Sequence, residues 1–305
     1  MYDFLKTITH HLNFDQLKDR LGTPFISRID LETGELRPHY DKFGITSYWH
    51  TATLNEIKFS VNERIQGNKK RFFLITQGSI HKNHFKGANF NDFTFGNAKE
   101  QIENLCKLTA IKPKDFILQN LEFGVNIQTP FEPIKYLNKN LITDKGKPFN
   151  KYGPDKNNVS IGYEHKFRQY HKKVYDKGLQ YGLNDNLMRF ELSYKKMYAL
   201  NKLGIYNLEN LTNPYITPKL EPLLLRGWNE ILFNDSINTK LAIKKRDSLF
   251  LRTANNPKFW EQSKTDKTYR EKRRKFKKLQ KANCSGTQDQ LKEQIKAKFQ
   301  HLISN

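Results

Sequence analysis

The chain has 305 residues and a formal net charge of +22, 53 Lys and Arg standing against 31 Asp and Glu. A charge of that size strains a compact fold by self-repulsion unless a polyanion shares its surface, so nucleic acid is the expected partner and an anionic membrane the weaker candidate. No apolar run approaches the roughly 20 residues of a membrane span, the first residues lack a secretory pattern, and Cys106 and Cys284 match no metal spacing, which together predict a cytoplasmic protein. With 22 Phe and 14 Tyr, its core is expected to be aromatic-rich.

Taken in order, residues 1–66 mix short alternating runs such as Lys58-Phe59-Ser60-Val61 with polar turns. Phe72-Phe73-Leu74-Ile75 reads as a buried strand ended by Gly78-Ser79. Residues 97–108 form a helix with Asn97 at its cap and Ile102, Leu105 and Leu108 on one face, which also takes Cys106 as a buried thiol. A strand covers 116–126, and residues 129–158, rich in Pro, Gly, Asn and Lys, read as a long loop. Strands follow at 159–163, 172–175 and 187–192, the last alternating Leu187, Arg189 and Glu191 against Met188, Phe190 and Leu192. Helices are expected at 195–203, closed by Gly204, and at 220–233, with Trp228 in the core.

Composition shifts near residue 264. Ten basic and two acidic residues fill 264–281, among them Arg270, Arg273, Arg274, Lys275, Lys277 and Lys278, with Tyr269, Phe276 and Leu279 spaced between them. That segment is a helix with a thin apolar stripe, or is disordered until bound. Cations so dense are expected to meet nucleic-acid phosphates.

One constellation carries chemistry. Lys172-Lys173-Val174-Tyr175-Asp176-Lys177 sets a tyrosine among lysines, and Arg189-Phe190-Glu191 begins fourteen residues after Tyr175. A tyrosine hydroxyl is a competent covalent nucleophile. With a pKa of about 10, only about one in a thousand is phenolate at pH 7, a deficit of about 4 kcal/mol that a metal on the scissile phosphate and a nearby ammonium can offset. Carboxylate oxygens suit Mg²⁺, and an imidazole in the set suits Mn²⁺ as well. Glu122 and Asn126 share one strand face and can both reach such an ion. Tyr170 and Tyr181 are rival tyrosines.

Four segments, in order, resemble the replication initiators of filamentous phages and related rolling-circle plasmids, the phage/plasmid II/X group of tyrosine endonucleases within the histidine–hydrophobic–histidine superfamily. They are Met1-Tyr2-Asp3; Gly78-Ser79-Ile80-His81-Lys82 with Lys86-Gly87-Ala88-Asn89; Leu121-Glu122-Phe123-Gly124-Val125-Asn126; and Val174-Tyr175-Asp176-Lys177 with Arg189-Phe190-Glu191. The resemblance is strongest over 70–235. It implies Tyr175 as the DNA-attacking tyrosine, Lys177 as its lysine partner, and Glu122 and Glu191 as metal-site acids. Lys82, Lys172 and Lys173 are expected DNA contacts, and Arg189 either binds phosphate or forms a structural salt bridge on the same strand face. No His-x-His pair is present, since His81 and His84 are three apart, and His81 is the candidate for that ligand.

The implied fold is α+β, a central antiparallel sheet flanked by helices, with a nickase domain over 1–240 and a basic helical extension over 241–305. The implied activity is site-specific, metal-dependent nicking of an origin through a 5′-phosphotyrosine, followed by rejoining, in a bacterial cytoplasm with Mg²⁺ or Mn²⁺. Its partners would be double-stranded origin, single-stranded DNA, host helicase and polymerase, and no membrane. A non-catalytic DNA- or RNA-binding protein and a relaxase or transposition nickase are the alternatives.

Overall fold

The computed structural model describes residues 1–10, 12–40, 44–154, 159–236 and 243–305. In chain order these form β1 (Tyr2–His10), α1 (Phe14–Leu21), β2 (Ile26–Ser27), β3 (His39–Tyr40), β4 (Thr46–Leu54), β5 (Ile57–Gln66), β6 (Lys69–Ser79), α2 (Ile80–His84), α3 (Phe95–Thr109), β7 (Ile117–Gln128), α4 (Pro133–Asn140), β8 (Leu141–Asp144), β9 (Asn150–Pro154), β10 (Ser160–Lys166), β11 (Tyr170–Asp176), α5 (Lys177–Tyr181) and β12 (Leu187–Tyr194). Then come α6 (Tyr198–Asn201), α7 (Leu208–Leu211), α8 (Glu221–Glu230), β13 (Ile231–Phe233), α9 (Lys245–Ala254), α10 (Pro257–Ser263), α11 (Tyr269–Asn283) and α12 (Thr287–Ser304). None of these helices is long and apolar enough to cross a membrane.

The strands form one large sheet in the order β2-β4-β5-β6-β1-β7-β12-β11-β10-β9, with β3 on β4, and a separate β8–β13 pair. Every described register is antiparallel, so the fold is α+β, as the sequence implies. Two compact units divide the chain: residues 1–123, 193–220 and 302–305 in one, and 124–192 with 221–301 in the other.

In the first unit β4, β5 and β6 are joined by tight hairpins at Asn55-Glu56 and Gly67-Asn68. Strand alternation then sends Leu5, Ile57, Phe59, Val61 and Leu74 inward, where all are buried with Ala98, Ile102 and Leu105 of α3. Thr94, not Asn97, caps α3. Asn97 sits three residues further on and bonds back to the cap, a reciprocal pair that satisfies two orphan donors and lengthens the helix past its expected start.

In the second unit the stretch expected as a long loop holds α4, β8 and β9. Pro133 starts α4 at a position where a missing N–H costs nothing. The helix expected over 220–233 stops at Glu230, because buried Ile231, Leu232 and Phe233 pair with β8 instead. In the first unit, the helix expected over 195–203 is only the four-residue α6. The basic segment is ordered: Phe276 of α11 packs with Trp260, Leu251 and Ile142 in a second core cluster, with Tyr269 and Leu279 at its edge. The expected boundary between residues 240 and 241 lies outside the described residues.

Candidate active site

The first unit gathers its chemistry around Asp3. Ser79 ends β6, caps α2 by accepting from the Lys82 amide at 3.0 Å, and donates its hydroxyl to Asp3 Oδ1. Asn89 Nδ2 donates to Asp3 Oδ2 at 2.7 Å. The Ser-x-x-Lys and Gly-x-Asn elements of the sequence therefore meet on one carboxylate. Gly87, at φ 103°, supplies the backbone turn that brings Asn89 back. Two neutral donors fix the orientation of Asp3 without neutralising it, the usual support of a metal-ligating carboxylate.

Glu122 is buried on β7. Asp3 and Glu122 each offer a carboxylate oxygen within 4.8 Å of the other, an acidic pair able to hold a metal ion. Hard oxygens suit Mg²⁺ or Mn²⁺ rather than a soft metal. His81 is not part of that pair. It is buried in α2, its ring stacked on Phe93 with centroids 4.9 Å apart and edge-on to Phe85. Asp3 was not among the expected ligands, although Met1-Tyr2-Asp3 was the first segment of the resemblance. The signal available was that segment, together with the Ser79 and Asn89 motif positions, whose side chains can donate to an acceptor.

The second unit builds the tyrosine centre. Alternation along β11 puts Lys173 and Tyr175 on one face and Lys172 and Val174 on the other. The Tyr175 hydroxyl donates to Glu191 Oε2 at 3.4 Å, Lys173 Nζ to Glu191 Oε1 at 2.7 Å, and Arg189 Nε to Oε2. Arg189 also donates to Asn126 Oδ1 at 3.0 Å, so Asn126 supports the arginine. Burial alone would push the Glu191 carboxyl up, but the Lys173 and Arg189 charges overcome it and hold the group far below the usual carboxylate range. A carboxylate so stabilised is a weak base and serves to orient its partners.

Glycines make this closeness possible. A Cβ on Gly162, opposite Tyr175, would lie 2.3 Å from the Tyr175 Cβ, and one on Gly124 would lie 2.6 Å from the Glu191 Cβ. Lys177, in the first turn of α5, is buried and donates to Gln180 at 2.8 Å. Its ammonium stands 5.4 Å from the Tyr175 ring centre and 4.9 Å from that of Tyr181. Asp176 caps α5 and accepts from Leu179 and Ile134, fixing the chain just after the tyrosine. Tyr152 of β9 covers Tyr175, ring centres 5.0 Å apart, and Tyr175 itself is 2% exposed.

The remaining expected DNA contacts separate into two kinds. Lys172 is fully buried in ion pairs with Asp144 at 2.6 Å and Glu230 at 3.3 Å, and Arg189 is buried against Glu191. On α11, Arg273 and Lys277 donate to the carbonyls that end α8, and Lys275 pairs with Asp247 at 2.8 Å. Arg270, Arg274 and Lys278, at successive four-residue spacings, face solvent. Lys82 is half-buried in α2. Of the rival tyrosines, Tyr170 accepts from Lys145 at 3.1 Å and stands at the Glu230 network, away from Glu191 along β11.

No family model and no curated protein sequence matches this chain. Among solved structures it is similar to a rolling circle replication initiator protein from Geobacillus stearothermophilus, at 11% identity and a TM-score of 0.37, over 87% of this chain and 95% of that one. A likeness of that degree carries no weight for the fold or the activity of this chain.

Proposed function

We propose that the protein is a metal-dependent DNA nickase and strand transferase of the rolling-circle initiator kind, resembling the phage/plasmid II/X group, with Tyr175 as its nucleophile. The observation that carries this reading is the meeting of two separate motifs: the Tyr175 hydroxyl donates to Glu191, whose carboxylate also binds Lys173 and Arg189, while Lys177 lies over the tyrosine ring. A structural aromatic needs no charged carboxylate at its hydroxyl.

In the proposed reaction the Tyr175 oxygen gives its proton to solvent water and attacks phosphorus. The bond to the 3′ oxygen breaks, that oxygen takes a proton back from solvent, and the 5′ phosphate stays on the tyrosine. Lys177 and Lys173 stabilise the phenolate and the charge developing on the phosphoryl oxygens. Glu191 holds the hydroxyl and the two cations in register. Asp3 and Glu122 would hold Mg²⁺ or Mn²⁺, which when bound polarises the phosphoryl oxygen. A later 3′-hydroxyl reverses the step and rejoins the strand without a nucleotide cofactor. Duplex and single-stranded origin DNA are the substrates this reading requires, with host helicase and polymerase downstream in a bacterial cytoplasm.

The test is incubation with single-stranded oligonucleotides tiled across the DNA flanking the chain's own coding sequence, in Mg²⁺ or Mn²⁺. The expected result is a covalent protein–DNA band that needs the metal and disappears in Tyr175→Phe. Salt-sensitive binding with no covalent band on any oligonucleotide would instead make the chain a binding protein.

A further inference from the structure

The first unit has a cleft of about 250 Å³ between the β4–β5 hairpin, α2 and α3 that the tyrosine chemistry does not use. Its floor is Ile57, Phe59, Ile80 and Leu105, all buried. Its rim is a set of uncharged amides: Asn55, Asn83, Gln101 and Asn104. Asn83 and Gln101 are held to each other at 2.7 Å, and His84 faces Gln101 at 3.3 Å, so their planes are fixed. The exposed amides of Asn55 and Asn104 keep both donors and acceptors available to a guest.

We propose that this cleft receives one unstacked nucleobase of the bound strand, with adenine the best match. The volume lies below the roughly 300–1,000 Å³ of pockets that enclose drug-sized ligands, which suits a single flat ring system. No lining residue is charged, which excludes a phosphate as the occupant. An amide offers one donor and one acceptor in a plane, the complement of the adenine edge. Apolar walls supply the stacking surface that an extruded base needs.

Position supports the same occupant. Ser79, which holds Asp3, caps α2, and the next turn of α2 supplies Ile80 and Asn83 to the cleft. A strand whose phosphate lies at Asp3 has a base within reach of the far side of that short helix. The inference rests on the nickase reading for its biological use, but its chemistry is tested apart from cleavage.

Saturation-transfer NMR of the intact chain with free adenosine, guanosine, cytidine and thymidine is the experiment. Adenosine should show the strongest transfer. Leu108→Trp, which fills the cleft, should abolish it, and Asn104→Leu at the exposed rim should weaken it about tenfold, the scale of one lost base-edge pair. Tyr175→Phe should leave it unchanged. Absence of transfer from all four nucleosides, or transfer that survives Leu108→Trp at the same strength, would overturn the proposal. If Leu108→Trp fails to fold, as judged by thermal melting, undiminished binding in Asn104→Leu overturns it equally. A chain that binds adenosine but forms no covalent DNA adduct loses the nickase reading and keeps the cleft, and the converse result separates them the other way.

Discussion

Strands β11 and β12 and helix α11 are both rich in lysine and arginine, and they use that charge in opposite ways. On the strands, Lys172, Lys173 and Arg189, with Lys177 just past the end of β11, are turned inward against Asp144, Glu230, Glu191 and an aromatic ring. On α11, Arg270, Arg274 and Lys278 face water along one stripe, while Arg273 and Lys277 spend their donors on the end of α8. Buried cations fix geometry and contribute to stability through their partners, whereas exposed ones have little to lose but an incoming phosphate. A basic residue count alone does not distinguish the two.

That contrast can be broken from either side. The largest effect is expected at the tyrosine: Tyr175→Phe should reduce covalent adduct by at least ~10³-fold, since a phenyl ring offers no nucleophile, while the loss of one long hydrogen bond should cost under about 1 kcal/mol in thermal melting. Asn89→Ala should leave Asp3 poorly oriented and raise the metal concentration for half-maximal cleavage about 10–100-fold, the scale found for outer partners of metal ligands. An unchanged metal titration would remove Asp3 from the metal set.

Lys172→Met should destabilise the fold by about 3–5 kcal/mol in urea unfolding, because it strands the buried Asp144 carboxylate. A stable variant with weakened DNA binding would return Lys172 to the phosphate contacts. The triple substitution of Arg270, Arg274 and Lys278 to Ala should do the reverse. It should lower the salt slope of DNA binding by about 2–3 and leave unfolding within about 0.5 kcal/mol of the parent.

The smallest effect concerns pH. Burial, with Lys172, Lys147 and Lys264 beside it, holds the His165 imidazole below its ordinary value, against the opposing pull of Asp144. A folded-state pKa below the unfolded value of about 6.5 means that the unfolded chain binds the proton more readily. His165 therefore contributes stability above that pH, and the contribution fades as pH falls through 6.5. His165→Asn should flatten this part of the pH–stability curve, and an unaltered slope would exclude it.

Much of the site was legible because it lies in strand sequence with strict alternation. Tyr175, Glu191 and Arg189 fell on recognisable motif positions, and the period of two places Lys173 on the face of Tyr175. The same rule separates Lys172 from Lys173, which the composition of the run had merged. What could not be read was long-range: Asp3 gains meaning only when Ser79 and Asn89 close on it across more than seventy residues. β8 and β13 likewise form because each meets the other, and the helical pattern of 220–233 gave no sign that its last three residues would find a partner strand. The capping of α3 by Thr94 shows the ordinary limit at helix ends, where a side chain one turn earlier wins the orphan amides.

The central claim is that one tyrosine, Tyr175, takes the DNA. Mass spectrometry of a nuclease-trimmed, protease-digested adduct tests it most directly. The expected result is a residual nucleotide phosphate on the peptide containing Tyr175 and on no peptide carrying Tyr152, Tyr170 or Tyr181 alone. A phosphate found on any of those three, or an adduct that persists in Tyr175→Phe, would contradict the account.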